Sequence, residues 1–122
     1  MRDARRPTRR SAAAAALVGA APLFAALGDE TRLRIVAQLC HLGPLSIVRL
    51  TEGTQVSRQA VTKHLLALQG VGLVRSGRAG RERRWELRPQ PLTEAQGYLT
   101  QISSQWDSAL ARLKQMMESP VH

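Results

Sequence analysis

The sequence predicts a mainly α-helical fold with a small β-hairpin, comprising about five helices and two strands. Apolar residues recur at helical spacing through most of the chain, whereas two short segments after residue 72 alternate between apolar and polar positions. Phe, Trp and Tyr make up only 3% of the 122 residues, so Leu, Val and Ala must fill the core, which favours helices. A chain of this length is expected to build one domain.

Residues 1–20 are predicted to form a basic, disordered arm that runs into the start of an Ala-rich helix, and residues 21–119 the folded domain. The residues Arg9-Arg10-Ser11 before the alanine run imitate a twin-arginine or secretory signal. We reject that interpretation because the alanine stretch is only mildly hydrophobic and Pro22 follows it. Alanine is also the strongest helix former, so a helix explains the run equally well.

Capping residues mark the first helices of the domain. Pro22 suits the first turn of a short helix that Gly28 interrupts. Asp29 is expected to cap a helix over about residues 30–42, ended by the Gly43-Pro44 pair. Ser46 can cap a further short helix through about Glu52. The inward face of helix 30–42 is predicted to carry Leu33, Val36, Ala37 and Cys40.

Ser57 is expected to cap a helix through about Gln69, which buries Val61, Leu65 and Leu68 on one side. Its opposite side carries Gln59, Thr62 and Lys63. Residues 73–76 and 82–87 then read as two strands joined by a hairpin tip at residues 77–81, so the wing spans 73–87. We predict that Trp85 and Leu87 face the core and that Arg84, Glu86 and Arg88 face solvent.

A long final helix is predicted over residues 92–116, because its apolar residues alternate steps of three and four. This spacing is typical of a helix that packs along a partner helix. The apolar positions are 92, 95, 99, 102, 106, 109, 113 and 116.

The formal net charge of +9 and pI near 11.5 point to a polyanionic partner. The excess is concentrated, because residues 1–10 hold five Arg and one Asp, and residues 75–88 hold six Arg and two Glu. The lone Cys40 excludes an internal disulfide and favours a reducing compartment. No apolar run approaches the roughly 20 residues of a membrane span, so we expect a soluble, cytoplasmic protein without a membrane partner.

Two helices joined by a tight turn and followed by a basic hairpin form a winged helix-turn-helix, which suits binding to double-stranded DNA. The helix over residues 57–69 is expected to enter the major groove, where each base pair presents its own hydrogen-bonding pattern. The candidate DNA-binding residues of that helix are Ser57, Arg58, Gln59, Thr62, Lys63 and His64. Those of the wing are Arg75, Arg78, Arg81, Arg83 and Arg84, which are expected to contact phosphates or the minor groove.

The stretches 27–35 and 56–65, together with Leu68 and residues 72–74, resemble the ArsR family of bacterial winged-helix repressors. The tail from Arg88 to Leu113 is similar to a branch of that family without the usual metal sites. The resemblance implies a homodimeric repressor whose subunits are held together by their first and last helices. It also implies that the dimer binds an inverted-repeat operator and is released from it by some signal. It implies a dimer interface of Leu23, Phe24, Leu99, Ile102, Trp106, Leu110 and Leu113.

The sequence departs from the family pattern at two places. Leu66 stands where relatives often carry a basic residue, so one phosphate contact is not expected. The segment 46–52 lacks the cysteine pair of metal-sensing members, so we expect neither a metal site of that kind nor a cofactor.

The remaining reactive residues favour structural roles over catalysis or metal binding. Cys40 is interpreted as a core cysteine rather than a redox-active thiol, and His64 as a structural histidine rather than a metal ligand. No nucleophile with a base, paired buried carboxylates or phosphate-binding glycine loop indicates an enzyme. Two alternatives remain: a metal- or redox-responsive sensor of the same fold, and a protein-interaction module that uses the final helix.

Overall fold

A computed structural model describes residues 9–118 of the chain. Six helices and three strands follow one another in this part, where the sequence predicted about five helices and two strands. The helices and strands are α1 (Arg9–Gly19), α2 (Ala21–Leu27), α3 (Glu30–Leu42), β1 (Leu45–Ser46), α4 (Ile47–Glu52), α5 (Arg58–Gly70), β2 (Val74–Ala79), β3 (Glu82–Leu87) and α6 (Gln90–Glu118). None of the helices in this range is long and apolar enough to cross a bilayer.

The three predicted helix caps are confirmed. Asp29, Ser46 and Ser57 each have an extended backbone and accept a hydrogen bond from the backbone N–H three residues later, at 3.0, 3.3 and 3.2 Å. Each bond satisfies an N–H that the first helical turn leaves without a partner. At the other end of α3, Gly43 has a φ of +79°, which favours glycine and ends the helix.

The core lies between the helices and one face of the sheet. Ile35 of α3, Leu50 of α4 and Leu65 of α5 are fully buried, and Trp85 of β3 covers them from the sheet side at 3% exposure. Val61 and Leu68 complete the buried face predicted for α5. The helix-turn-helix is therefore fixed to the wing by one continuous apolar cluster.

The sheet contains a third strand that the sequence did not predict. Its order is β1-β3-β2, with both pairs antiparallel, and Leu45 of β1 lies opposite Trp85 of β3. A two-residue strand has no alternation to detect, which explains why the pattern missed it. The β2–β3 hairpin is also longer than predicted, because β2 continues to Ala79 and only Gly80 and Arg81 form the loop.

The predicted inward face of α3 is wrong. Ile35 and Leu39 are buried and Val36 is half-buried, whereas Leu33, Ala37 and Cys40 are exposed. Because α3 carries apolar residues on two sides, periodicity alone could not select the side that packs. Cys40 is consequently not a core cysteine.

Helix α1 begins at Arg9, within the segment expected to be an arm, and α6 extends two residues beyond its predicted range at each end. Residues 1–8 and the terminal His122 lie outside the described residues. Helix α1 packs on α2 and α6, so the alanine run does contribute a helix to the folded body.

Candidate nucleic-acid interface

The exposed side of α5 carries the predicted groove-reading residues. Ser57, Arg58, Gln59 and Lys63 are exposed, while Thr62 is half-buried. The Thr62 hydroxyl donates to the carbonyl oxygen of Arg58 at 3.0 Å, so its hydrogen is used within the helix. The oxygen lone pairs and methyl group of Thr62 remain for a base edge, since a hydroxyl can accept as well as donate.

His64 is half-buried between α5 and α3, where the Arg32 Nε–H donates to its Nδ1 at 3.1 Å. A ring nitrogen that accepts is unprotonated, so the neutral ring carries its hydrogen on Nε2. His64 therefore joins the two helices, in agreement with its interpretation as a structural histidine. Its Nε2–H is the group that a phosphate oxygen could meet.

The capping carboxylate of Asp29 is hydrogen-bonded to the backbone of Arg32, the residue whose side chain binds His64. The backbone N–H of Arg32 donates to it, and this hydrogen bond is the main cause that lowers the pKa of Asp29 below its ordinary value. The positive charge of Arg32 lowers the pKa of Asp29 further. Asp29 thus caps α3 and favours the positive charge of Arg32 beside α5.

Leu66 lies on the exposed side of α5, with 52% of its surface accessible. On a helical wheel it falls between Gln59 and Thr62, in the middle of the polar face. An apolar side chain here supplies no charge to a phosphate, as the sequence indicated. It can contact only an apolar group such as a thymine methyl.

The wing separates its arginines into two groups. Arg75 lies opposite Glu86 on the neighbouring strand and forms an ion pair with it, and the Arg84 Nε lies 3.3 Å from a carboxylate oxygen of Glu82. These four residues share the solvent face of the hairpin, where two positive charges meet two negative charges. The charges of these four residues on the solvent face of the hairpin therefore largely cancel.

The unbalanced positive charge of the wing lies at the tip and on the other face. Arg78 and Arg83 are directly opposite each other, a like-charge pair that destabilises a hairpin. Arg83 stacks over the Trp85 ring at 5.0 Å from its centroid, and its guanidinium donates to the Ser76 hydroxyl at 3.1 Å. Within residues 9–118, Arg78 and Arg81 have no carboxylate partner.

The loop geometry places Arg81 at the end of the hairpin. Gly80 has a φ of +66° and precedes Arg81 in a two-residue loop, the arrangement in which glycine at the first position suits a tight hairpin turn. Arg81 projects from the second loop position and is exposed.

A second surface lies along α6, whose apolar residues are only partly used by the rest of the chain. Ala95 is buried, and Leu92 and Ile102 are half-buried. Large apolar side chains beyond them are accessible, with Trp106 at 64%. The accessible set on this helix is Leu99, Trp106, Leu110, Leu113, Met116 and Met117.

Two residues of the predicted dimer interface lie in α2 and pack inward. Leu23 is only 8% exposed within the core of its own chain, and Phe24 is half-buried against that core. Among the predicted interface residues, those of α6 therefore expose the most apolar surface, and a role of Leu23 and Phe24 in a dimer stays a prediction.

Metal-ligating groups do not cluster in the part of the chain that the structure describes. No three of its His, Cys, Asp or Glu residues lie close enough together to hold an ion. Cys40 and His41 both lie exposed at the end of α3.

Sequence reasoning missed two participants of this surface, Arg32 and Ser76. The hydrogen bond from Arg32 spans 32 positions of the chain, and no periodic pattern links those positions. Ser76 could have been found from the strand register, because it occupies the position opposite Trp85.

Comparisons with known proteins agree with this geometry. A family model described as a helix-turn-helix domain matches residues 27–77. The chain is 37% identical over 94 residues to an HTH-type transcriptional regulator of Mycobacterium tuberculosis, which covers 77% of this chain and 84% of that protein. It is 36% identical over 67 residues to the arsenical resistance operon repressor of Escherichia coli, covering 55% of this chain and 57% of that one. The solved structure of an ArsR-like transcriptional regulator from Rhodococcus superposes with a TM-score of 0.72 at 41% identity, covering 89% of this chain and 99% of that one.

Proposed function

Because the chain belongs to the ArsR family of winged helix-turn-helix transcriptional regulators, we propose that it is a homodimeric repressor that binds an inverted-repeat operator. In each protomer α5 enters the major groove and the wing follows the adjacent backbone. Like its relatives, which are transcriptional regulators, the chain is a regulator and not an enzyme. We infer a cytoplasmic location from this role, since the operator is there.

The observation that carries the proposal is the combination of two surfaces, the exposed side of α5 and the wing that follows it in the chain. Helix α5 exposes hydrogen-bonding side chains that include Gln59 and Lys63, and the wing ends in arginines that have no carboxylate partner within residues 9–118. A like-charge pair such as Arg78 and Arg83 costs stability in the free protein, and phosphate oxygens remove that cost.

The homodimer is supported by the accessible apolar residues of α6. Contiguous apolar surface on a small protein marks an interaction site, and a helix of 29 residues is about 43 Å long. Two copies that pair along such helices relate their α5 helices by a two-fold axis. Successive major grooves on one side of a duplex are about 34 Å apart, which is the spacing that the paired α5 helices must meet.

Binding to fragments of the source genome tests the proposal. We expect a gel-shift titration in moderate salt to select a few fragments that contain an inverted repeat. Gln59→Ala and Lys63→Ala should each weaken binding to these fragments by about 1–3 kcal/mol, because each removes a contact to a base edge. The matched control is Gln69→Ala, which removes an exposed polar side chain at the opposite end of α5.

The outcome that contradicts the proposal is uniform, weak and salt-sensitive binding to every fragment. That result would favour the protein-interaction module, with α6 as its contact surface. Sedimentation tests the dimer separately: we expect Trp106→Glu to yield monomers, because it places a charge in the apolar surface. A wild-type protein that is monomeric at micromolar concentration would refute the operator geometry.

A further inference from the structure

A cavity of about 460 Å³ lies where three parts of the chain meet, away from the exposed polar face of α5. Gly19 and Leu23 border it from the α1–α2 corner, Gly70 and Val71 from the end of α5, and Glu94 and Tyr98 from the first turns of α6. Its volume is within the range of about 300–1,000 Å³ that small-molecule sites occupy. The cavity is about half open to solvent, and it is large enough for a compact organic ligand.

Apolar side chains and polar backbone atoms both line the cavity, and Glu94 is the only charged residue among those that border it. Among the described residues Glu94 has no hydrogen bond and no ion pair. The glutamates of the helix-turn-helix and the wing are each paired with an arginine, whereas Glu94, Asp107 and Glu118 of α6 have no ion pair among the described residues. Of these three carboxylates, only that of Glu94 borders the cavity.

Tyr98 extends the same chemistry along the helix. It lies four positions after Glu94, so the two side chains occupy neighbouring places on one face of α6. An aromatic face attracts a positive charge and excludes a negative one. A carboxylate and an aromatic ring beside apolar walls are the groups that recognise an organic cation.

We propose that this cavity binds a small amphipathic cation, which is a molecule with an apolar body and one amine, quaternary ammonium or phosphonium charge. The apolar body fills the space between α1, α2 and the end of α5. The charge lies between the Glu94 carboxylate and the Tyr98 ring.

The position of the cavity connects such a ligand to DNA binding, and this second step rests on the proposed function. Val71 caps the end of α5, and the next turn packs on the start of α6, where a Cβ at Gly72 would lie 3.9 Å from Pro91 Cγ. A ligand in the cavity contacts the end of the groove-reading helix and the beginning of the dimerisation helix at once. It can therefore alter the angle between the two.

Direct titration of the full-length protein by calorimetry, without DNA, tests the site. The probe is tetraphenylphosphonium, and the matched control ligand is tetraphenylborate, which has the same shape and the opposite charge. Non-specific attraction to a protein of net charge +9 favours the borate anion. We expect saturable one-to-one binding of the phosphonium and at least about tenfold weaker binding of the borate, because only a local negative site produces that order.

Three variants test the location. Glu94→Gln keeps the shape and should weaken phosphonium binding about fivefold, or about 1 kcal/mol, the upper range for a pair open to solvent. Gly19→Leu and Gly70→Leu each place a side chain at the cavity, where a Cβ meets no atom within 4 Å, so neither strains the fold. Each should weaken binding about tenfold or more, because the leucine occupies ligand space.

Gly97→Leu is the matched control, since Gly97 is also an unobstructed helical glycine but does not border the cavity. Its affinity for the phosphonium should stay within about twofold of the wild type. The proposal is overturned if the phosphonium does not bind at millimolar concentration, if the borate binds equally well, or if both filled variants bind as the wild type does.

The effect on DNA is measured afterwards by the shift of operator affinity at saturating phosphonium. If the protein binds the cation but selects no operator, the proposed function fails and the cation site stands. If it selects an operator but does not bind the cation, the repressor stands and the cation site fails. Loss of dimers in both filled variants, with wild-type phosphonium affinity retained, would assign the cavity to a partner protomer and overturn the ligand site.

Discussion

Removal of the two wing arginines without carboxylate partners should flatten the salt dependence of DNA binding. Arg78 and Arg81 are exposed and unneutralised within the described residues, so each is available to displace a counterion from a phosphate. On duplex DNA each phosphate contact contributes about 0.9 to the slope of log K against log salt. The double variant Arg78→Ala/Arg81→Ala should therefore lower the slope by about 1.8 per protomer.

This change has a measurable size. The proposed dimer carries both arginines twice, so its slope falls by about 3.6, and between about 50 and 200 mM salt the ratio of wild-type to variant affinity changes about 150-fold. Fluorescence anisotropy with a labelled duplex at four or five salt concentrations measures it. Operator and unrelated duplexes should lose affinity alike, because phosphates carry no sequence information.

Arg75 supplies the matched control, since the Glu86 carboxylate already neutralises it. Arg75→Ala should change the slope by less than half as much as Arg81→Ala. Conversely, Glu86→Gln releases Arg75 and should steepen the slope by up to about 0.9. The reasoning is refuted if Arg75→Ala and Arg81→Ala flatten the slope equally, or if the loss in the double variant is confined to one operator.

Three further results are expected. Leu66→Lys should strengthen binding to all duplexes and steepen the salt slope by about 0.9, because it adds a cation to the exposed side of α5; an unchanged slope would show that this position does not face a phosphate. Ser57→Ala should lower the free energy of unfolding by about 1 kcal/mol through loss of the α5 cap, whereas Ser104→Ala on exposed α6 should not; equal effects in urea denaturation would contradict the capping role. Folding lowers the pKa of Asp29, so its charged form adds stability above the unfolded pKa, and this stability is lost as the pH falls through the folded pKa. The advantage of the wild type over Asp29→Asn in free energy of unfolding should therefore shrink in acid. A constant difference in that free energy from pH 7 to about pH 3 would refute this reasoning.

Much of the fold was predictable because its boundaries are chemical. Three helix starts are marked by side chains that accept a backbone hydrogen bond, namely those of Asp29, Ser46 and Ser57, and all three bonds are present in the structure. The hairpin followed from a change of period between Leu73 and Leu87. These signals are local, so one sequence is sufficient to detect them.

The sequence could not predict which side of α3 packs, nor the strand β1, because neither has a local signal. Both depend on partners that are distant in sequence: Ile35 packs against α5, and Leu45 pairs with Trp85. Cys40 was misplaced because α3 carries apolar residues on two sides. A periodic pattern identifies an apolar stripe, but it does not say which stripe the tertiary fold covers.

In the wing, the sequence likewise could not predict which arginines are paired with a carboxylate. Composition correctly located excess arginine in the hairpin, but it could not distinguish Arg75 from Arg81, because the distinction arises from the register that places Glu86 opposite one of them. An arginine with a cross-strand carboxylate stabilises the hairpin, whereas an arginine opposite another arginine destabilises it. The hairpin holds both kinds on opposite faces, so only the unbalanced face gains stability when a polyanion binds. DNA should consequently protect the amides of the hairpin tip from hydrogen exchange more than those near Val74, where the apolar core already holds the strands together.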